Sequence, residues 1–324
     1  MELDPEVAKV LPTVASRQTE LDLSTPEAVA ATRASIDRLR DLWKDSIDRS
    51  GVVTGERNIS GAPGMPDLVL RIHRPAGSMT AAAGKLPCLY HVHGGGMVSG
   101  CALNDDAVLL PRVRALGCVA TSIEYRLAPE HPAPAAATDC CIGLEWVHAH
   151  AAELGIDPAR IALGGVSGGG GIAATTAILN RDRGGPRLVL QQLICPQLDD
   201  RDDTVSARSD WVNWTRETNV KAWRAVLGDR YGRAEVTGRE SASREQNLAG
   251  LPPAYIDVGS MEVFRDECID YAARLLRAGV QTELHVLPGC FHGAYLFAPE
   301  ARVSRLTVAA QDDALQRAWW PLGR

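Results

Sequence analysis

The 324-residue chain carries no long run of arginine and lysine, and its formal net charge is −6, so it lacks the basic field that nucleic acid recruits. No uninterrupted apolar stretch approaches the roughly 20 residues of a membrane span. The opening MELDPEVAKV is acidic and lacks the basic-then-apolar layout of a secretory signal, which makes a cytoplasmic location the expectation. Eight cysteines are scattered with no C-x-x-C pair and no Cys/His ligand spacing. They read as reduced thiols packed in a core, and no metal is expected. Cys290 stands apart because it lies two residues before His292. Neither G-x-x-x-x-G-K-[ST] nor a convincing G-x-G-x-x-G with its acidic partner is found, so no nucleotide or other organic cofactor is expected.

What is present is an ordinary globular composition, 45% hydrophobic and 23% charged, on a chain long enough for one large core or two unequal ones. The first 50 residues are helical in pattern. Thr25-Pro26-Glu27 reads as a cap followed by proline at the first helical position, and Ile36, Leu39 and Leu42 predict one apolar face. Leu68, Leu70 and Ile72 alternate with Val69 and Arg71, as outer strands do, and 75–84 is a small-residue loop. Short apolar runs at 86–92, 119–123, 161–166, 188–194, 254–258 and 283–287 alternate with helical segments such as 135–154, 267–276 and 301–319. That repetition predicts a mostly parallel sheet flanked by helices. Asp157-Pro158 reads as a turn ahead of the 161–166 strand.

The polar stretch 199–249, with Trp211, Trp214 and Trp223, interrupts the rhythm. Together with the N-terminal helices it reads as a helical cap over the catalytic face. The expected organisation is a cap segment at 1–50, a first part of the core at 51–198, a cap insertion at 199–249 and a second part of the core at 250–324. The tryptophans are expected mainly as packing residues.

The chemistry centres on LGGVSGGGG at 163–171, where Gly165, Ser167 and Gly169 fit G-x-S-x-G. A strand-to-helix turn of this kind strains the serine backbone, and bulky residues two positions to either side would collide with it. The pentapeptide alone arises by chance in about one chain of this length in ten, so its context has to decide. HVHGGG at 91–96 supplies a second glycine turn, and FHG at 291–293 a late histidine. The amides of Gly94, Gly95 and Gly168 are candidates for an oxyanion hole. His292, in a loop after the last strand, is the candidate base for Ser167. Asp257, Glu262, Asp266 and Glu267 all lie where an acid belongs, and Glu262 leads because it occupies the loop between a strand and a helix. The order is glycine turn, serine, acid, histidine.

These residues resemble the hormone-sensitive-lipase-like family of α/β-hydrolase carboxylesterases. The likeness rests on HGGGM at 93–97, YRLAPEHPAPAA at 125–136, GVSGG at 165–169, EVFRDE at 262–267 and FHG at 291–293. It implies the α/β-hydrolase fold with a helical cap and a catalytic triad of Ser167, Glu262 and His292. It also implies a serine esterase acting on small-molecule esters of short to medium acyl chains, through an acyl-enzyme. The chain departs from the common DPLRDE by placing glutamate where aspartate is usual. It departs from GDSAGG by Val166 and Gly168, a glycine expected to loosen the elbow slightly. The resemblance makes the tract at 125–131 structural, with Arg126 and Glu130 in internal polar contacts. Expected pocket walls are Met97, Trp211, Trp214, Phe264 and Phe291. An amidase or lactonase could use the same triad. A non-catalytic binding protein on this scaffold is disfavoured because serine and histidine are both retained. An exposed sheet edge or terminal helix could support a homodimer.

Overall fold

The computed structural model of the protein describes residues 1–17, 20–78 and 84–321. Its strands are β1 (Val52–Ile59), β2 (Leu68–Pro75), β3 (Leu86–Val92), β4 (Val119–Glu124), β5 (Ile156–Val166), β6 (Leu190–Ile194), β7 (Ala254–Gly259) and β8 (Thr282–Leu287). They form one sheet in the order β1-β2-β4-β3-β5-β6-β7-β8. The pairs β1–β2 and β2–β4 are antiparallel, and every later pair is parallel. β6 and β7 are buried along their whole length, even at Gln191, Gln192 and Asp257, whose side chains find hydrogen-bond partners. β8, at the edge, is only half-buried.

The helices are α1 (Pro5–Ala8), α2 (Leu11–Arg17), α3 (Pro26–Asp41), α4 (Asp106–Leu116), α5 (Ala135–Ala149), α6 (Gly168–Asp182), α7 (Arg216–Leu227), α8 (Arg265–Arg277), α9 (Ala294–Phe297) and α10 (Arg302–Trp319). On one face of the sheet Leu144 and Val147 of α5 and Ile172 and Ile178 of α6 pack with Leu163 and Leu193. On the other, Leu109 and Val113 of α4 and Leu315 and Trp319 of α10 cover Leu89, Ala162 and Tyr255. Burying each of these large side chains contributes about 1.5–3 kcal/mol. No described helix is long and apolar enough to cross a membrane.

Three local expectations need correction. Thr25 caps α3 as anticipated, its hydroxyl accepting from Ala28 N at 3.2 Å. The docked face, however, carries Val29 and Thr32, while Leu42 is 80% exposed. Arg33 decides the matter: it donates to the carbonyls of Val98 (2.8 Å) and Ala128 (2.9 Å) and forks onto Glu130, turning the 29/32/33 side inward. Asp157-Pro158 lies inside β5 instead of ahead of it. The pairing with β3 jumps from Leu86↔Ile156 to Cys88↔Ile161, so the expected turn is a bulge within the strand. Arg126 makes the expected internal contact by forking onto buried Asp139, but Glu130 meets Arg33 at a half-exposed position instead of an internal one. The expected loop at 75–84 falls partly outside the described residues.

In the 199–249 stretch, α7 sinks Trp223, Val226 and Leu227 into the main core, confirming Trp223 as a packing residue. Lys221 of α7 lies 3.9 Å from Glu20 of the N-terminal segment. The segments after the C-terminal ends of β3, β5, β7 and β8 carry the glycine turn, Ser167, Glu262 and His292 in that order.

Candidate active site

Ser167 sits at the junction of β5 and α6 with φ 57° and ψ −125°, a backbone conformation unfavourable for a non-glycine residue. Main-chain bonds hold it there: Ser167 N donates to Ile194 O at 2.8 Å, and its carbonyl accepts from Gly171 N and Gln197 N. The flanking glycines are required for close approach between elements, not for clearance of the serine itself. A Cβ at 165 would lie 2.3 Å from Gly169 O, and one at 169 would lie 2.2 Å from both Val92 O and His93 O. The serine helix is thereby pressed against the end of β3.

That contact brings the second glycine turn to the serine. A Cβ on Gly168 would stand 2.7 Å from Met97 N and 2.9 Å from Gly96 N. Gly168 therefore does not loosen the elbow; the turn closes into the space that an alanine methyl would occupy. Gly94 lies alongside, where an added Cβ would be 3.5 Å from the Ser167 Cβ. The Gly95 carbonyl accepts from Val98 N and Ser99 N, fixing the turn. Gly96, the third glycine of the turn, also abuts Gly168, its N 2.9 Å from that Cβ position. Tyr125 braces the assembly, its hydroxyl donating to His93 O at 2.8 Å while its ring stacks on His93. Ala128 N donates to Met97 O. The YRLAPE tract thus serves as scaffolding for the glycine turn.

Ser167 Oγ lies 2.9 Å from His292 Nε2. On the other side of the ring, Nδ1 lies 3.4 Å from Glu262 Oε2. The acid and histidine loops are stitched together: Ser260 N donates to Leu287 O, Met261 N to Cys290 O, and Gly289 N to Ser260 Oγ. Phe264 supports the imidazole edge-on, with centroids 5.1 Å apart. Asn213, from the 199–249 stretch, donates through Nδ2 to His292 O at 2.8 Å. No motif marks Asn213, because its role exists only through a tertiary contact.

The rival acids have other partners. Asp257 accepts from Gln311 Nε2 at 2.7 Å, and burial pushes its pKa up to about 6. Burial also drives Glu267 well above the carboxylate range, reinforced by the charge of Asp199, while its Oε1 receives Leu198 N. For Asp266, burial is outweighed by Arg265 and by bonds from Ser206, and its pKa falls. Each fixes the junction between core and 199–249 stretch or the layer beneath the sheet; none is paired with His292.

Among the expected pocket walls, Trp214 lies 6.2 Å from the His292 ring, and its indole edge would meet a Cβ on Gly96 at 2.4 Å. Trp211 is half-buried and donates to Ser206 O. Met97 has φ 67° and borders a crevice of about 20 Å³ shared with Ala128, Ile172, Thr175 and Val226. Phe264 and Phe291 are corrections: both are buried packing groups with almost no surface to offer a ligand. Phe291 packs with Val7 and Val14 of the N-terminal helices and with Ala294 of α9. Cys290, singled out by its proximity in sequence, is a buried thiol whose pKa burial pushes up to about 12. The cysteine grouped with the acid and histidine is Cys195, whose thiol is held well above its ordinary range by burial and then by Glu262.

A sheet with this strand order, bearing a serine elbow, an acid and a histidine after the C-terminal ends of β5, β7 and β8, defines an α/β hydrolase. The family profile described as the alpha/beta hydrolase fold matches residues 89–296. The chain belongs to the hormone-sensitive-lipase-like α/β-hydrolases. It is 34% identical over 296 residues to the esterase LipI of Mycobacterium tuberculosis, covering 90% of this chain and 87% of that one. Carboxylesterase NlhH of the same organism is 34% identical over 253 residues, 75% of this chain and 76% of its own. Among solved structures, a bacterial heroin esterase superposes with a TM-score of 0.90 at 38% identity, covering 98% of both chains. Esterase LipW of Mycobacterium marinum gives 0.85 at 33% identity over 99% of this chain and 97% of that one.

Proposed function

We propose that the protein is a serine carboxylesterase that cleaves small esters of short to medium acyl chains through an acyl-enzyme. The observation that carries this reading is the 2.9 Å contact between Ser167 Oγ and His292 Nε2, with the Glu262 carboxylate on the far side of the ring. A free serine hydroxyl is a weak nucleophile, and an adjacent imidazole nitrogen makes it effective. His292 Nε2 takes the hydroxyl proton as Oγ attacks the ester carbonyl. Glu262 orients the ring and stabilises the imidazolium that forms. The amides of Gly94, Gly95 and Gly168, with Gly96 beside them, face the developing oxyanion. His292 then protonates the departing alcohol and activates water to release the acid. The 1–50 and 199–249 segments act as the cap, Trp214 bordering the site and Met97 limiting the acyl side.

The esterase names of the relatives agree with this assignment, and no observation favours an amide or lactone over an ester. The test is turnover of p-nitrophenyl acetate, butyrate and decanoate beside a matched anilide and a lactone, with Ser167→Ala as control. Ester cleavage lost in Ser167→Ala, with acetate or butyrate preferred over decanoate, is expected. Wild-type turnover in Ser167→Ala would remove the nucleophile, and faster anilide or lactone cleavage would reassign the substrate class.

A further inference from the structure

Cys195 follows β6, Glu262 follows β7 and His292 follows β8. Their ligand-capable atoms lie within 4.8 Å of one another, and all three residues are buried. Spacing along the chain conceals the group, since its members are far apart in sequence. Neither carboxylate oxygen of Glu262 nor Nδ1 of His292 has a hydrogen-bond partner among the described residues, although all three atoms are shielded from solvent. The Nδ1–Oε2 separation of 3.4 Å is too long for a good N–H···O bond. It does match the edge of a zinc tetrahedron, about 3.3 Å for Zn–N and Zn–O bonds of about 2.0 Å. A void of about 10 Å³ bordered by Cys195, Glu262, Asp257 and Cys290 adjoins two of the three donors. One thiolate and one carboxylate balance the two charges of a divalent ion, so the occupied site is neutral and suited to burial.

We propose that Cys195, Glu262 and His292 form an inhibitory site for a thiophilic divalent cation, with Zn²⁺ the ion that fits. Sulfur, imidazole nitrogen and carboxylate oxygen are zinc's usual donors. The proposal rests on the triad reading above, because two of the three ligands belong to that triad. On binding, the Cys195 thiol releases its proton to solvent and the thiolate bonds the metal. The metal also takes the Nδ1 lone pair, so the single proton of neutral His292 resides on Nε2. That nitrogen then donates to Ser167 Oγ and can no longer accept its proton. Catalysis stops without any bond to the serine.

The test titrates ZnCl₂ against p-nitrophenyl acetate hydrolysis by wild type, Cys195→Ala and Cys195→Ser, the serine variant covering any disturbance of β6 by alanine. Half-inhibition in both variants is expected to need about tenfold more zinc or higher still, and EDTA should restore the wild type. In parallel, Co²⁺ added to Ser167→Ala should give a near-ultraviolet thiolate-to-cobalt absorption that the double variant with Cys195→Ala lacks. This band needs no turnover, so it reports on the metal site even if ester hydrolysis fails. Equal zinc sensitivity with and without Cys195, absence of the cobalt band, or a band without inhibition would each overturn the proposal.

Discussion

Replacing Glu262 by aspartate keeps the negative charge but withdraws the carboxylate by one C–C bond, about 1.5 Å. The separation from His292 Nδ1 then grows from 3.4 Å to about 4.9 Å if the backbone stays in place. With an effective dielectric near 20, the attraction 332/(20 × r) falls from about 4.9 to about 3.4 kcal/mol. Both side chains are nearly inaccessible to solvent, so bulk water screens little of this loss. The imidazole is neutral before attack and charged at the transition state, so the difference of about 1.5 kcal/mol enters kcat as roughly a tenfold decrease. Glu262→Gln removes the charge and offers an amide that can favour the wrong tautomer, and should cost about 10³–10⁴ in kcat. Asp266→Asn should stay within about threefold. Steady-state kinetics on p-nitrophenyl acetate, with near-ultraviolet circular dichroism to verify the fold, decides the matter. An unchanged or higher kcat in Glu262→Asp would show that the backbone accommodates either length and that the 3.4 Å geometry does not limit the rate. A larger loss in Asp266→Asn than in Glu262→Gln would move the acid elsewhere.

Gly168→Ala places a methyl 2.7 Å from Met97 N and should displace the glycine turn, lowering kcat about tenfold with little change in KM; unchanged kinetics would mean that the turn is not a donor site. Asn213→Ala removes the hydrogen bond to His292 O, worth about 1 kcal/mol or roughly fivefold in kcat, and no kinetic effect would show that the loop is held without it. For Asp257 the folded value is raised from 3.8 to about 6, so the native state holds this proton more tightly than the unfolded chain. That stabilisation is complete below pH 3.8 and lost by the time pH passes about 6. The amide of Asp257→Asn does not titrate, so its stability relative to wild type should rise across this window by about 3 kcal/mol. Denaturant melts of both proteins on either side of the window measure the change, and a pH-independent difference would show that the carboxyl does not titrate there.

The strand cores and the positions of Ser167 and His292 were legible because buried parallel strands and glycine turns leave local signatures. The start of β5 was not, since a bulge at 157–160 resembles a turn when the neighbouring strand is out of view. The docked face of α3 escaped the periodicity because a half-buried arginine, not leucine, anchors it. Four carboxylates competed for the acid role since sequence order carries no side-chain direction; only the fold pairs Glu262 with the imidazole. Phe264 and Phe291 lie in sequence beside Glu262 and His292 yet point into packing, one beneath the ring and the other onto the N-terminal helices. Asn213 and Cys195 carry no motif and become visible only when distant segments meet.

Three bonds join the segment bearing Glu262 to the segment bearing His292, whereas Ser167 is anchored separately to the β6 end. The proposed acid and base are therefore tied directly to each other, and the proposed nucleophile reaches them only through β6 and its pairing with β7. Thermal loosening of the β7–β8 edge would carry the carboxylate and the imidazole together away from the hydroxyl. Such a molecule would keep its ordered histidine and its folded core while losing turnover, so inactivation on heating should precede unfolding.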